Sequence, residues 1–143
     1  MTSTDPLCIK NLDELAKVAA EIGVPVVGAP ALGVPLHSNG HLGADLLYVK
    51  PGDRFPVHTH PGDHLLVSLA GSGTISVGEV TYKVRPGDIY MVDGLIPHAV
   101  GAAEDDHHIL MAIGAPHKAV QAPDRMQFVD WQGNKLTSPI FAE

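Results

Sequence analysis

Residues 52–71 read GDRFPVHTHPGDHLLVSLAG, and the fold follows from how this stretch alternates and turns. Side chains along a strand point to opposite faces in turn, so His58 and His60 share a face, with Cα atoms about 7 Å apart. Two imidazoles at that separation can converge on one ion, whose bonds to nitrogen are about 2.0–2.1 Å long. Pro61-Gly62-Asp63 predicts a three-residue hairpin turn that returns the chain antiparallel beside its own start. His64 then opens the returning strand next to the pair. Its face continues through Leu66 and Ser68, while Leu65, Val67 and Leu69 face the other way. Both faces are largely apolar, as in a strand buried on both sides. His98, in PGDIYMVDGLIPHAV (residues 86–100), is placed by Pro97 and must arrive from a distant strand pair. A single histidine is ordinarily a surface or core residue with a satisfied hydrogen bond. Aligned, neighbouring imidazoles have little structural use without a metal, and His58, His60, His64 and His98 are therefore the candidate ligands of one divalent ion.

Outward from this stretch, short strand candidates follow one another at Asp45–Lys50, Phe55–His60, His64–Ala70, Thr74–Val77, Val80–Val84, Ile89–Val92 and His107–Ile113. Turn signals separate them, including PGD tripeptides starting at Pro51, Pro61 and Pro86, in which proline pre-sets one turn residue and Gly-Asp suits the next. Strands at this spacing with almost no helix between them predict an antiparallel sandwich or barrel. The one convincing helix is residues 11–23, with Asn11 and Glu14 as a capping box, Leu12, Leu15, Ala19 and Ile22 as an apolar stripe, and Gly23 as a stop. Val24 to Asn39 is rich in Pro and Gly and reads as irregular or extended, an arm over the body. The tail from Ala122 to Glu143 holds Trp131 and reads as a further strand, a lid or a dimer contact.

At 143 residues, with 45% apolar and 17% charged residues, the chain suits one soluble domain with a core of its own. A net charge of −7 offers no basic face to a phosphate backbone, which argues against nucleic acid as a partner. The start MTSTDPLCIK does not read as a signal peptide, and no apolar run is long enough to span a bilayer. With Cys8 as the lone cysteine there is no internal disulfide, which fits a cytoplasmic location.

The set Gly52, His58, His60, His64 and Gly71 resembles, at its spacing, the first motif of the cupin superfamily. The run from Gly87-Asp88 to Pro97-His98 resembles the second. Together they span Gly52 to His98, the central third of the chain, and the strand pattern on both sides agrees. The resemblance implies an all-β fold, the cupin double-stranded β-helix (jelly-roll) barrel, with one short N-terminal helix, a metal inside and a homodimeric assembly. Residues 1–143 would form a single cupin domain, with 1–40 a helix and arm, 41–118 the barrel core and 119–143 a C-terminal segment. His64 stands where the motif usually has glutamate, and Asp93 and Leu95 where the second motif usually has Pro and Gly. Within the minority of small four-histidine cupins, the chain most resembles the cupin-type aromatic polyketide cyclases, such as that of resistomycin biosynthesis. That resemblance implies zinc on the four histidines, one ion per subunit, with water completing the shell. Other four-histidine cupins of this size use manganese or iron.

Four neutral imidazoles leave a divalent ion's charge uncompensated, which favours Lewis-acid action on a bound oxygen and lowers the pKa of bound water, the first candidate for a base. On a poly-β-ketone chain, such a site would acidify the methylene between two carbonyls and stabilise the enolate. Aldol closure and loss of water would follow, with an apolar barrel folding the hydrophobic, polyketide-like substrate. The expected function is thus a metal-dependent polyketide cyclase. A cupin dioxygenase cleaving a flavonol or β-diketone with Fe, Mn or Ni would bind the same oxygen pair, and a non-enzymatic small-molecule-binding cupin is the third class. Asp45, Tyr48, Tyr90, Asp93 and His108 are candidates for proton transfer or ligand support, with an ordinary surface or hydrogen-bonding role as the plainer reading of each. His37 and His41 lie in a Gly-rich stretch that could fold over the barrel mouth. Only one of His107 and His108 can point inward. His117 and Lys118 are expected at the surface, and Glu104-Asp105-Asp106 as a solvated turn.

Overall fold

A computed structural model describes residues 7–142. Residues 1–6 of the start read above as carrying no signal peptide, and Glu143 of the tail, lie outside the described residues. The Asn11 side chain accepts a hydrogen bond from the Glu14 N–H at 3.0 Å and starts helix α1 (Leu12–Ile22). Leu12, Leu15 and Ala19 pack on a sheet, whereas Ile22, in the last turn, is 50% exposed. Gly23 ends the helix for a different reason from the one expected. Its backbone is extended, not left-handed, but a Cβ there would stand 2.7 Å from the Ala19 carbonyl and from Leu32. Among the described residues no helix is long and apolar enough to cross a membrane.

The strands that follow are β1 (Val24–Pro25), β2 (Ala31–Ser38), β3 (Gly43–Val49), β4 (His58–Thr59), β5 (Asp63–Gly71), β6 (Gly73–Val77), β7 (Val80–Val84), β8 (Ile89–Val92), β9 (His98–Ala102), β10 (His108–Ala115) and β11 (Gln127–Phe128). They form two antiparallel sheets, one in the order β1-β2-β3-β10-β5-β8 and the other β11-β4-β9-β6-β7. Leu47, Leu66, Leu110 and Ala112 of the first sheet meet Phe55, Ile75 and Val100 in the core between the sheets. The alternate residues Leu46 and Ile109 face outward, where with Val34 and Leu36 they receive α1. On the other side, Val57 and Ala99 are covered by Val129, Trp131 and Ala142 of the C-terminal segment. The first sheet is thus apolar on both faces where α1 covers it, and the second where the C-terminal segment does. The architecture is the expected all-β barrel with one short helix.

Three local expectations change. Val24–Asn39 is not irregular throughout, because residues 31–38 form β2 and pair along β3. Pro35 is tolerated there beside a register shift between Pro35 and His37, a position where a missing N–H breaks no continuous ladder. The strand expected over Phe55–His60 shrinks to β4, since Pro56 cannot donate to a ladder. Pro61-Gly62 is not a hairpin. β4 lies in one sheet and β5 in the other, so the turn is a corner between sheets. The His60 N–H, which a hairpin would pair with β5, instead donates to the Gly94 carbonyl at 2.8 Å. Gly62 turns the corner at a φ of 80°, a left-handed conformation that glycine adopts without steric cost.

Candidate metal centre

His58 on β4 and His98 on β9 are direct cross-strand partners, and their ring centroids are 4.4 Å apart. His60, just past β4, brings its Nε2 to 3.0 Å from His98 Nε2. All three side chains are buried, and their ligand atoms lie within 4.8 Å of one another. Each Nδ1 faces a backbone carbonyl two residues away, Pro56 at 2.8 Å for His58, Ile96 at 2.7 Å for His98 and Gly62 at 3.2 Å for His60. A carbonyl only accepts, so each Nδ1 carries the proton and donates it, leaving Nε2 as a bare lone pair. Burial pushes the His58 pKa well below its ordinary value, with neighbouring His98 adding to the fall. Burial likewise lowers His60 and takes His98 to about 4. Two neutral rings with lone pairs facing at 3.0 Å repel unless a cation lies between them. Donors at right angles on one ion, with bonds of about 2.0–2.1 Å, stand about 3 Å apart. The residues fit a divalent metal.

His64 arrives on β5 from the opposite sheet and stacks on His60, with centroids 4.1 Å apart. Burial lowers its pKa to about 2, and His60 adds to the shift. Glycine at position 114 makes room for it, since a Cβ there would stand 2.7 Å from His64 Cδ2. His58, His60 and His98 form the tight nitrogen cluster, and His64 lines the same cavity beside it. That cavity holds about 30 Å³, roughly one water's share of liquid volume. After β10 the chain closes the barrel on this side. Val120 and Met126 join the inner core, and Arg125 and Met126 line the cavity with the histidines. The open apolar interior expected to fold a polyketide is therefore filled in this conformation. A roomier groove, about 670 Å³, is lined by Arg54, Lys83, Arg85 and Glu104 among others and contains none of these histidines.

Residues 45–114 match the cupin domain family, over the stretch that carries both the histidine cluster and most of the two sheets. These residues form a cupin domain. Solved structures with the same fold include the polyketide cyclase RemF from Streptomyces resistomycificus, 19% identical over 75% of this chain and 78% of that one, with a TM-score of 0.62. A cupin-like protein from Thermotoga maritima is 19% identical over 65% and 80%, with a TM-score of 0.58. A conserved protein with a double-stranded β-helix domain from Klebsiella pneumoniae is 18% identical over 71% and 89%, with a TM-score of 0.59. At these identities the likeness is one of fold. No curated protein sequence matches the chain significantly.

Within this cupin barrel the other sequence candidates separate clearly. His108 is the inward member of its pair, yet both its nitrogens are engaged, by Ser68 Oγ at 3.0 Å and the Gly101 carbonyl at 3.1 Å. His107 lies outside, stacked on Tyr48, which removes Tyr48 from the site. Tyr90 packs against the inner core, and burial raises its pKa to about 12, so it keeps its proton at neutral pH. Asp93 is exposed and accepts from the Leu95 N–H at 2.9 Å, a turn role. His37 and His41 are exposed. Lys118 pairs with Asp124 at 2.8 Å on the surface, and Glu104-Asp105 forms the exposed turn expected. His117 is a correction. It is not solvated but turned inward, its Nε2 2.9 Å from Asp45 Oδ2, because Asp45 on β3 is 2% exposed and offers a buried acceptor. Arg125, 6% exposed, was not foreseen. It follows the barrel in a loop without period, where nothing in the sequence marks it.

Proposed function

We propose that this cupin is a divalent-metal enzyme that promotes enolisation and aldol cyclisation of a poly-β-ketone, a metal-dependent polyketide cyclase. The observation that carries the reading is the donor set, three converging bare Nε2 atoms with no carboxylate among them. His58, His60 and His98 would hold the ion, zinc by preference, with His64 beside them. A bound divalent ion would supply Lewis-acid polarisation of a carbonyl oxygen. The chain's own part is orientation and exclusion. The carbonyls of Pro56, Ile96 and Gly62 fix each ring and its tautomer, as outer partners do at metal sites generally. Leu47, Phe55, Leu66, Val100 and Met126 surround the histidines and keep bulk water out. A substrate of polyketide size is larger than the cavity of about 30 Å³ beside the histidines, so its entry requires Met126, which lines that cavity, to move aside. The polyketide cyclase RemF, which shares the fold, lends support to the reaction type.

The test is cyclisation of a poly-β-ketone under anaerobic conditions by zinc-loaded protein, with His98→Ala as control. Ring formation without oxygen, lost in the variant, is expected. Stoichiometric oxygen consumption on a flavonol or β-diketone would replace the cyclase by a dioxygenase. A parent that forms no ring, with a biological activity left unchanged when His98→Ala removes the metal, would make the chain a non-enzymatic small-molecule-binding protein.

A further inference from the structure

A second group of charged side chains abuts the histidines. Arg125 lines the cavity of the four histidines and also an adjoining cleft lined by Asp45, His60, His64 and His117. Arg125 is 6% exposed and Asp45 2% exposed. Asp45 Oδ2 receives both of its partners, His117 Nε2 at 2.9 Å and Arg125 Nη1 at 3.4 Å. Its other oxygen, Oδ1, is buried with no hydrogen-bond partner among the described residues. On Arg125, Nη1 also donates to the Lys118 carbonyl at 2.8 Å. Its Nε and Nη2 make no hydrogen bond among the described residues. The group therefore presents one spare buried acceptor, Asp45 Oδ1, whose unpaired state costs about 1–3 kcal/mol, and beside it the Nε–Nη2 edge of a guanidinium fork.

The charges point the same way. A divalent ion on neutral imidazoles keeps its full charge, and a guanidinium keeps its own. The Asp45 carboxylate, itself shared with His117, offsets only one of these. A closed chamber left that positive favours an anionic oxygen ligand, and the fork geometry of arginine matches a carboxylate by two parallel hydrogen bonds.

We propose that Arg125 and Asp45 form a subsite for a carboxylate-bearing substrate, an enolisable oxo acid whose carboxylate sits on Arg125 Nε and Nη2 and whose hydroxyl or enol O–H donates to Asp45 Oδ1. This deepens the metal-enzyme reading and rests on it for the position of the substrate's second oxygen. Arg125 is a specificity-determining residue, not a ligand of the ion. It selects an acid over a neutral diketone of the same size.

Acetoacetate and acetylacetone have equal numbers of non-hydrogen atoms and differ in charge, and they serve as the probes. Calorimetric titration of each into zinc-loaded protein is compared for the parent chain, Arg125→Met and Arg125→Lys, with zinc content and thermal midpoint measured on every sample. The parent is expected to prefer acetoacetate by about tenfold or more, the value of a charge-assisted hydrogen bond. Arg125→Met should lose that preference at unchanged zinc content, and Arg125→Lys should retain part of it. An Arg125→Met protein that binds acetoacetate as tightly as the parent overturns the proposal, as does a parent with no preference. Should Arg125→Met not fold, Arg125→Lys decides, and full parental affinity in it counts against the fork. A parent that holds no zinc overturns the metal reading instead, and the same titrations on the metal-free protein then decide the anion subsite.

Discussion

His108 is the buried histidine with no nitrogen to spare. It is fully buried, with Nδ1 donating to Gly101 and Nε2 accepting from Ser68. His58 and His98 each spend one nitrogen on a carbonyl and aim the other at a neighbouring ring. That difference separates a structural histidine from a ligand. Burial lowers the His108 pKa, so below about pH 6.5 the unfolded chain takes up a proton that the folded one refuses. The sign follows directly, since stability is held above the unfolded pKa and falls as pH drops toward the lower folded one, by up to about 1.4 kcal/mol per unit per group. Denaturant unfolding of metal-free protein at pH 7.5 and 5 should show a smaller stability loss for His108→Gln than for the parent, and an equal loss in both would contradict the assignment. Parity along the strand made one of His107 and His108 inward-facing, but not which one. His117 and Arg125 were illegible because both approach from loops after β10, where no period links sequence to side-chain direction.

The strands were most legible where turn chemistry brackets them on both sides. β7 and β8 match their expected limits because the PGD tripeptide at Pro86 separates them. β2 was hidden by Gly33 and Pro35, and β4 was over-extended across Pro56. Strand β8 closes the six-stranded sheet as an edge, with Ile89 62% and Met91 69% exposed. Opposite them across the ladder stand Val67 and Leu65 of β5, continuing to Met111 and Ile113 of β10. Helix α1 packs over β2 and β3, and the cluster beneath it reaches as far as Met111, which leaves Ile89 and Met91 exposed at the edge. An apolar face next to an unpaired strand edge is unfavourable in water, and we propose that a second copy covers it. Sedimentation should find a dimer for the parent and a monomer for Met91→Asp. A monomeric parent, or a dimer that the substitution leaves intact, would contradict this pairing.

For the molecule as a whole, many short strands and few helices were enough to read a barrel, and the spacing of His58, His60 and His64 was enough to read a site inside it. Two things were not available from spacing. Local pattern does not say which of two sheets a strand joins, so the corner at Pro61-Gly62 looked like a hairpin and the His58–His98 pairing had no signature. Nor does it show that a distant tail closes the barrel mouth, which leaves about 30 Å³ where an open chamber was expected. What the closed barrel does preserve is His58, His60 and His98, each fixed in one tautomer by a backbone carbonyl and with their free nitrogens gathered together. Elemental analysis of protein purified without chelators, alongside the four single His→Ala variants, measures this directly. One divalent ion per subunit is expected in the parent, with loss of the ion in His58→Ala, His60→Ala and His98→Ala and weaker retention in His64→Ala. A parent that binds no stoichiometric metal even after supplementation, or a His98→Ala variant that keeps the full complement, would contradict a metal centre at these histidines.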